Sequence, residues 1–311
     1  MFLKHPENTR GKSRKFTDIE RGTFMSFGKL TLVGTPIGNL NDMSERALSA
    51  LREADLIAAE DTRNTIKLLN HFDIRKPMTS YHEFNKIEKA HDLIREAKEG
   101  KNIALVTDAG MPAISDPGED LVRIAGENGV PVSIVPGPCA LVCALSLSGL
   151  SARRFVFEGF LPTDKKERAE ILEEIKEETR TIIFYEAPHH LLKTLRELEE
   201  ALGKERKISI VRELTKIHEE VIRTTLSDAV KQYETPEGEK MIRGEYVLVM
   251  EGKNRKILQE EEKKEWETLT VPEHVSYYEK QGIERKEAMR LAAKDRGKSR
   301  RDIYKAMLDE E

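Results

Sequence analysis

The chain is expected to be an α/β protein of two α/β domains followed by a small helical C-terminal appendage. Three observations carry this expectation. The 311 residues match the length of roughly two domains. Short apolar runs recur, and in the first half each is followed by a turn rich in Gly, Pro or charge and then by a helical pattern. After the small-residue linker Gly149-Leu150-Ser151-Ala152, a second set of apolar runs begins, and the chain closes on a charged stretch and short amphipathic segments. The boundaries that follow are an N-terminal extension over 1–28, domains over 29–151 and 152–252, and a linker with helical tail over 253–311.

Leu30 to Val33 is an apolar run of the kind a buried strand shows. Gly34-Thr35-Pro36-Ile37-Gly38-Asn39-Leu40 forms the turn behind it, and Ser44 to Ala54 has helical spacing. Neither G-x-G-x-x-G nor a Walker lysine is present, and Pro36 occupies the turn, so this is not an ordinary dinucleotide or nucleotide loop. Leu56 to Ala59 ends in Glu60-Asp61-Thr62-Arg63, and the helix behind it puts Ile66, Leu69 and Phe72 on one face. Ser80-Tyr81-His82-Glu83-Phe84-Asn85 follows. Ile103 to Val106 leads into Thr107-Asp108-Ala109-Gly110-Met111-Pro112-Ala113-Ile114-Ser115-Asp116-Pro117-Gly118 and a helix over Glu119 to Glu127. In open α/β sheets ligands bind outside the carboxyl ends of strands, so Asp108 is either a turn residue or a crevice carboxylate. Val132 to Val135 stops at Pro136-Gly137-Pro138, where two prolines prevent further pairing. A small-residue helix runs from Cys139 to Ser148, and its cysteines read as packing residues.

The second domain reads as strands Phe155 to Phe160, Thr181 to Tyr185, Ile208 to Val211, Val221 to Thr225 and Tyr246 to Met250, with helices Lys166 to Glu178 and Pro188 to Leu202. Charge stands beside strand ends at Tyr185-Glu186-Ala187-Pro188-His189, Arg212-Glu213-Leu214-Thr215-Lys216 and Arg243-Gly244-Glu245-Tyr246. Lys253 to Glu267 reads as a charged helical linker. Val275 to Gln281, Lys286 to Arg296 and Ser299 to Leu308 read as short helices, with Ser299 and Asp302 close to a capping box.

Several functional classes are excluded or narrowed by composition. The net charge of −4 does not announce a nucleic-acid binder, so a local basic patch would have to serve. One such patch is Gly282 to Lys305, with nine Lys or Arg against four Asp or Glu. Cys139 and Cys143 are too few for a disulfide framework or a zinc site, which points to the reducing cytoplasm. His82-Glu83 and His218-Glu219 lack the second histidine of H-E-x-x-H, so no metal is expected. No run is long enough to span a membrane. The first 24 residues carry Lys4, Arg10, Lys12, Arg14, Lys15 and Arg21 without the apolar core of a signal peptide, and read as a disordered tail. Met25 is a candidate translational start, since patterned sequence begins just after it.

Taken together, Thr35-Pro36-Ile37-Gly38-Asn39-Leu40, Glu60-Asp61-Thr62-Arg63, Ser80-Tyr81-His82-Glu83, Asp108-Ala109-Gly110, Ile114-Ser115-Asp116-Pro117-Gly118, Pro136-Gly137-Pro138, Phe184-Tyr185-Glu186-Ala187-Pro188-His189 and Arg212-Glu213-Leu214-Thr215-Lys216 resemble one family. It is the small-subunit rRNA methyltransferase I family, a branch of the tetrapyrrole-methylase superfamily. The resemblance covers about residues 29 to 252, in order. It implies two α/β domains of the tetrapyrrole-methylase type with a cofactor cleft between them, S-adenosyl-L-methionine (SAM) as cofactor, and a homodimer. It implies 2′-O-methylation of a cytidine ribose in the decoding region of small-subunit (16S) rRNA, on the rRNA or the 30S subunit. Cys139 departs from the usual serine after Pro-Gly-Pro, and His190 from the usual arginine after Pro-His.

SAM needs an apolar slot with free backbone for adenine and charge for its amino-acid end. Pro36, Met111, Ile114, Ala140 and Leu214 have the character of the slot, and Cys139 and Tyr185 belong with them by the resemblance. Asp108 is a candidate for the ammonium, and Asp116 caps the following helix or adds charge. Arg212, Glu213 and Glu245 are the expected charges from the second domain. A ribose hydroxyl is a poor nucleophile, and a base is worth about 10²–10⁴-fold. Glu60, Asp61, His82 and Glu83 are the candidates, with the Glu60–Arg63 group preferred, and Arg63 alternatively binds an RNA phosphate. Two other readings stay open: a methylase of tetrapyrroles or other small molecules, which usually carries G-x-G-x-G-D in the first loop, and a non-catalytic RNA-binding module.

Overall fold

The computed structural model describes residues 27–256, 258, 260, 266 and 268–309. The basic N-terminal stretch up to residue 26, the candidate start at Met25 and most of the charged linker lie outside the described residues. The chain forms two compact units, and their boundary is interleaved: Gly34–Ser44 and Ala109–Met111 belong with everything from Pro136 onward, while 45–108 and 112–135 belong with the first strand.

The first unit is built on a five-stranded, wholly parallel sheet. Its strands are β1 (Leu30–Val33), β2 (Leu56–Ala59), β3 (Met78–Ser80), β4 (Ile103–Val106) and β5 (Val132–Val135), in the spatial order β3-β2-β4-β1-β5. Leu30 stands in register with both Ile103 and Val132, and Ala59 with both Ser80 and Val106. The connections are α1 (Glu45–Glu53), α2 (Thr62–His71), α3 (Lys86–Lys98) and α4 (Glu119–Glu127). Helices α3 and α4 bury Leu93, Ile94, Leu121 and Ile124 on the face made by Leu30, Leu32, Ala58, Ile103 and Leu105. The central strands β1 and β4 are buried throughout, which is why they read as unbroken apolar runs.

The sheet of the second unit is mixed: β6 (Phe155–Phe160), β7 (Thr181–Glu186), β8 (Lys207–Arg212), β9 (Glu220–Thr225) and β10 (Tyr246–Met250), in the order β6-β7-β10-β8-β9. Only β6 and β7 are parallel. One face, with Ile182, Phe184, Ile208, Ile210 and Leu248, packs under helices that include α7 (Leu191–Leu202) and α8 (Leu226–Tyr233). The other, with Ile183, Val211, Val247 and Val249, is covered by α5 (Ala140–Ser148) through Leu141, Ala144 and Leu145. The remaining helices of this part are α6 (Lys165–Glu174) and α9 (Pro236–Met241).

The appendage is three helices, α10 (Val271–Lys280), α11 (Arg285–Asp295) and α12 (Arg300–Asp309), with a small apolar core of Val275, Ala288, Ala292, Ile303 and Met307. Thr270 and Glu273 form a reciprocal capping box on α10. Ser299 and Asp302 bond reciprocally at the start of α12, so aspartate serves here in the place of the usual longer acid. Buried Arg296 donates to the Leu269 and Thr270 carbonyls and to Nδ1 of His274 at 3.0 Å, which fixes the entry to α10.

Candidate functional site

In the first unit, the chemistry gathers at the carboxyl ends of β2 and β4. Asp61 caps α2, accepting from the Arg63 N–H at 2.8 Å, and its carboxylate meets the exposed Arg63 guanidinium at 2.6 Å. The hydrogen bonds from Arg63 hold the Asp61 carboxyl down at about 2, so it is ionised and already engaged. Glu60 is different. Burial pushes its carboxyl up, the charges of Asp108 and Asp61 push the same way, and a hydrogen bond from the Asp108 N–H at 3.4 Å opposes them. Asn64, one turn into α2, donates to Asp108 at 2.9 Å.

Asp116 joins this cluster. Helix α4 is capped by Gly118 with no side-chain bond, so Asp116 does not cap it. Its half-buried carboxyl is pushed up to about 7, first by burial and then by the charge of Glu60, against a hydrogen bond from buried Thr107. Ala113 and Ser115, on either side of exposed Ile114, have φ of 68° and 62°, in the left-handed region that strains residues bearing a Cβ. His82 stands near enough to Glu60 to act on it electrostatically, and its Nδ1 is buried without a partner among the described residues. Glu83 instead pairs with Lys86 at 2.7 Å.

The second unit gathers the glycine and proline loops. Thr35 and Gly110 exchange backbone hydrogen bonds of 2.9 and 3.1 Å. Gly34 and Gly137 stand back to back: a Cβ on Gly137 would lie 2.7 Å from the Gly34 Cα, and one on Gly34 would lie 2.6 Å from the Met111 Sδ. Met111 also accepts from the Gly137 N–H. Glycine is required here by close approach of two backbones. Cys139 is the N-cap residue of α5 and makes no side-chain cap bond. Tyr185, wedged edge-on against Phe157 and Phe160, accepts from the Leu141 N–H at 3.2 Å and so pins the first turn of α5 to β7. Ile37, Cys139, Ala140, Tyr185 and Leu214 pack into one apolar cluster.

Beside it, Lys216 bridges Glu213 at 2.8 Å and Glu245 at 2.9 Å. Glu213 and Thr215 carry φ of 49° and 66°, and the Thr215 hydroxyl is buried with no partner among the described residues. An unpaired buried hydroxyl calls for a ligand group or water. An apolar cluster beside an orphan hydroxyl and loop backbone fits the adenosyl half of SAM.

Arg212 is set apart from the other predicted residues of this unit. It shares strand parity with Ile208 and Ile210, so it points to the α7 and α8 face, where it binds Glu220 at 3.1 Å and the Met241 carbonyl at 3.0 Å. Tyr185 and Val211 face α5 instead. The Arg212 Nε is buried without a partner among the described residues, and the Glu213–Lys216–Glu245 knot supplies the other charges of this loop. Asn64, Thr215 and Lys216 stand among these candidates without having been singled out in the sequence. The ionic character of Lys216 was the available signal, whereas Asn64 offered none.

These loops, on this pair of sheets, define a methylase of the tetrapyrrole type. Residues 29–230 match the family model for tetrapyrrole (corrin/porphyrin) methylases, and the chain belongs to that family. It is 50% identical over 277 residues to ribosomal RNA small subunit methyltransferase I of Halalkalibacterium halodurans, covering 89% of this chain and 93% of that protein. The protein of the same name from Bacillus subtilis is 48% identical over 279 residues, covering 90% and 94%. Uroporphyrin-III-C-methyltransferase from Thermus thermophilus has the same fold, with a TM-score of 0.51 and 20% identity over 72% of this chain and 94% of that one. The family resemblance read from the motifs is thereby borne out. Among the described residues no helix is long and apolar enough to cross a membrane.

Proposed function

We propose that the chain is a SAM-dependent methyltransferase that methylates the ribose 2′-oxygen of a cytidine in the decoding region of small-subunit rRNA. The observation that carries this reading is the 50% identity, over nearly the whole length, to a relative named for small-subunit rRNA methylation. The same resemblance supports a cytoplasmic homodimer acting on the rRNA or the 30S subunit.

When bound, SAM supplies an electrophilic methyl carbon. Pro36, Met111, Ile114, Cys139, Ala140, Tyr185 and Leu214 hold it, chiefly through backbone and apolar contact. Thr215 gives a hydroxyl and Asp108 a carboxylate for its polar groups, and the Lys216–Glu245 pair keeps the Leu214 loop in its wound shape. Alignment of the ribose oxygen with the methyl group is worth about 7–11 kcal/mol of the barrier. Glu60 takes the hydroxyl proton. Burial raises its affinity for a proton, which favours that role over the acidic Asp61. Asp61 is too acidic for the task and orients Arg63, which grips an RNA phosphate.

The test is transfer of labelled methyl from SAM to purified small subunits that lack the modification, with a porphyrinogen in parallel. Label is expected in rRNA, at one ribose that resists alkaline cleavage, and Glu60→Gln should lower kcat by about 10²-fold or more with little change in SAM affinity. Label entering only the porphyrinogen would overturn the substrate. Absence of calorimetric SAM binding would overturn the enzyme reading.

A further inference from the structure

The second sheet has an end at which β6, β7 and β8 begin and β9 and β10 finish. A cavity of about 970 Å³ opens there. Seven Lys or Arg line it, against Asp228 and Glu251. In a chain of net charge −4 such a concentration is local. Arg223 stands in register with Ser209 on its floor and donates to the carbonyls of Leu147 and Ser148 at the C-terminal end of α5, where a cation is favoured. The Ser209 hydroxyl also lines the cavity, is 1% exposed and has no partner among the described residues. Arg153, Arg154 and Arg255 stand exposed along the lining.

We infer that this cavity seats the phosphodiester backbone of RNA. Several guanidinium groups around one concavity, with a free hydroxyl on its floor, match successive phosphates rather than a single small anion. Strand β7 runs from this cavity to Tyr185, and its six residues span about 20 Å. The backbone held here therefore lies several nucleotides from the reacting ribose. The substrate it selects is an extended or folded RNA, not a nucleoside. The inference rests on the rRNA reading above, and its test separates the two.

The test compares the full chain with its triple variant Arg153→Ala, Arg154→Ala, Arg255→Ala, which changes only exposed side chains. A fluorescent small-subunit rRNA fragment is titrated from 50 to 300 mM KCl, SAM affinity is measured by calorimetry, and kcat and KM for RNA are determined. The variant should bind RNA at least about 10-fold more weakly, with a salt slope shallower by about two to three. KM for RNA should rise while kcat and SAM affinity hold. Unchanged RNA affinity and slope, with the wild-type chain still methylating rRNA, would overturn the cavity's role and leave the enzyme reading intact. Wild-type chain that binds RNA through these arginines but methylates none would overturn the proposed reaction and support the cavity.

Discussion

Replacing Asp116 by Asn removes a carboxyl that the fold ionises at a cost. Its carboxyl is pushed up to about 7, against about 3.9 in an unfolded chain. The native state therefore holds the proton more tightly than the unfolded state does. Below pH 3.9 the group is protonated in both states and costs nothing. As the pH rises the unfolded chain ionises first, and the native state loses stability until the pH passes about 7. Roughly three factors of ten, at about 1.4 kcal/mol each, set a ceiling of about 4 kcal/mol. The group is half-buried and solvent screens part of this, which leaves about 1–2 kcal/mol. Asparagine has nearly the same shape, keeps an acceptor for Thr107 and stays neutral throughout. Asp116→Asn should therefore match the wild type at pH 4 and exceed it by about 1–2 kcal/mol at pH 8, measured by urea denaturation at five pH values between. A difference that does not vary with pH would refute the assignment of a raised, burial-driven ionisation.

Gly137→Ala places a Cβ 2.7 Å from the Gly34 Cα and must part the two loops. It should cost about 1–3 kcal/mol of stability and weaken SAM binding by tenfold or more in calorimetry, whereas Gly126→Ala, within α4, meets nothing within 4 Å and should leave SAM affinity unchanged. Arg63→Ala removes an exposed side chain, so stability should move by less than about 1 kcal/mol. Asp61 should return toward the ordinary carboxylate range, seen by NMR titration, and KM for rRNA should rise several-fold with SAM affinity unaltered.

Much of this was legible in order along the chain. The buried parallel strands β1, β2 and β4 are apolar on both faces, so their ends could be read nearly to the residue. Strand β3 escaped because its three residues, Met78-Thr79-Ser80, are half-buried and too few for a pattern. The short helix α9 escaped for a similar reason of length. The candidate loops were marked by residue types that break pairing or leave charge at a strand end, and those cues are local.

What the residues alone determined was the family, the two sheets and the set of loops that carry chemistry, because strand periodicity, proline and glycine act within a few residues. Only the tertiary structure decided which members of those loops do what. Arg212 and Leu214 are two residues apart and would share a face if the strand continued, yet β8 ends at Arg212, which turns to Glu220, and the left-handed turn at Glu213 sends Leu214 to pack with Tyr185. Asp61 and Asp116 are the same side chain, yet an arginine beside one and burial beside Glu60 for the other separate their proton affinities from about 2 to about 7. Burial and long-range charge depend on what the rest of the chain brings near, and no local pattern encodes them.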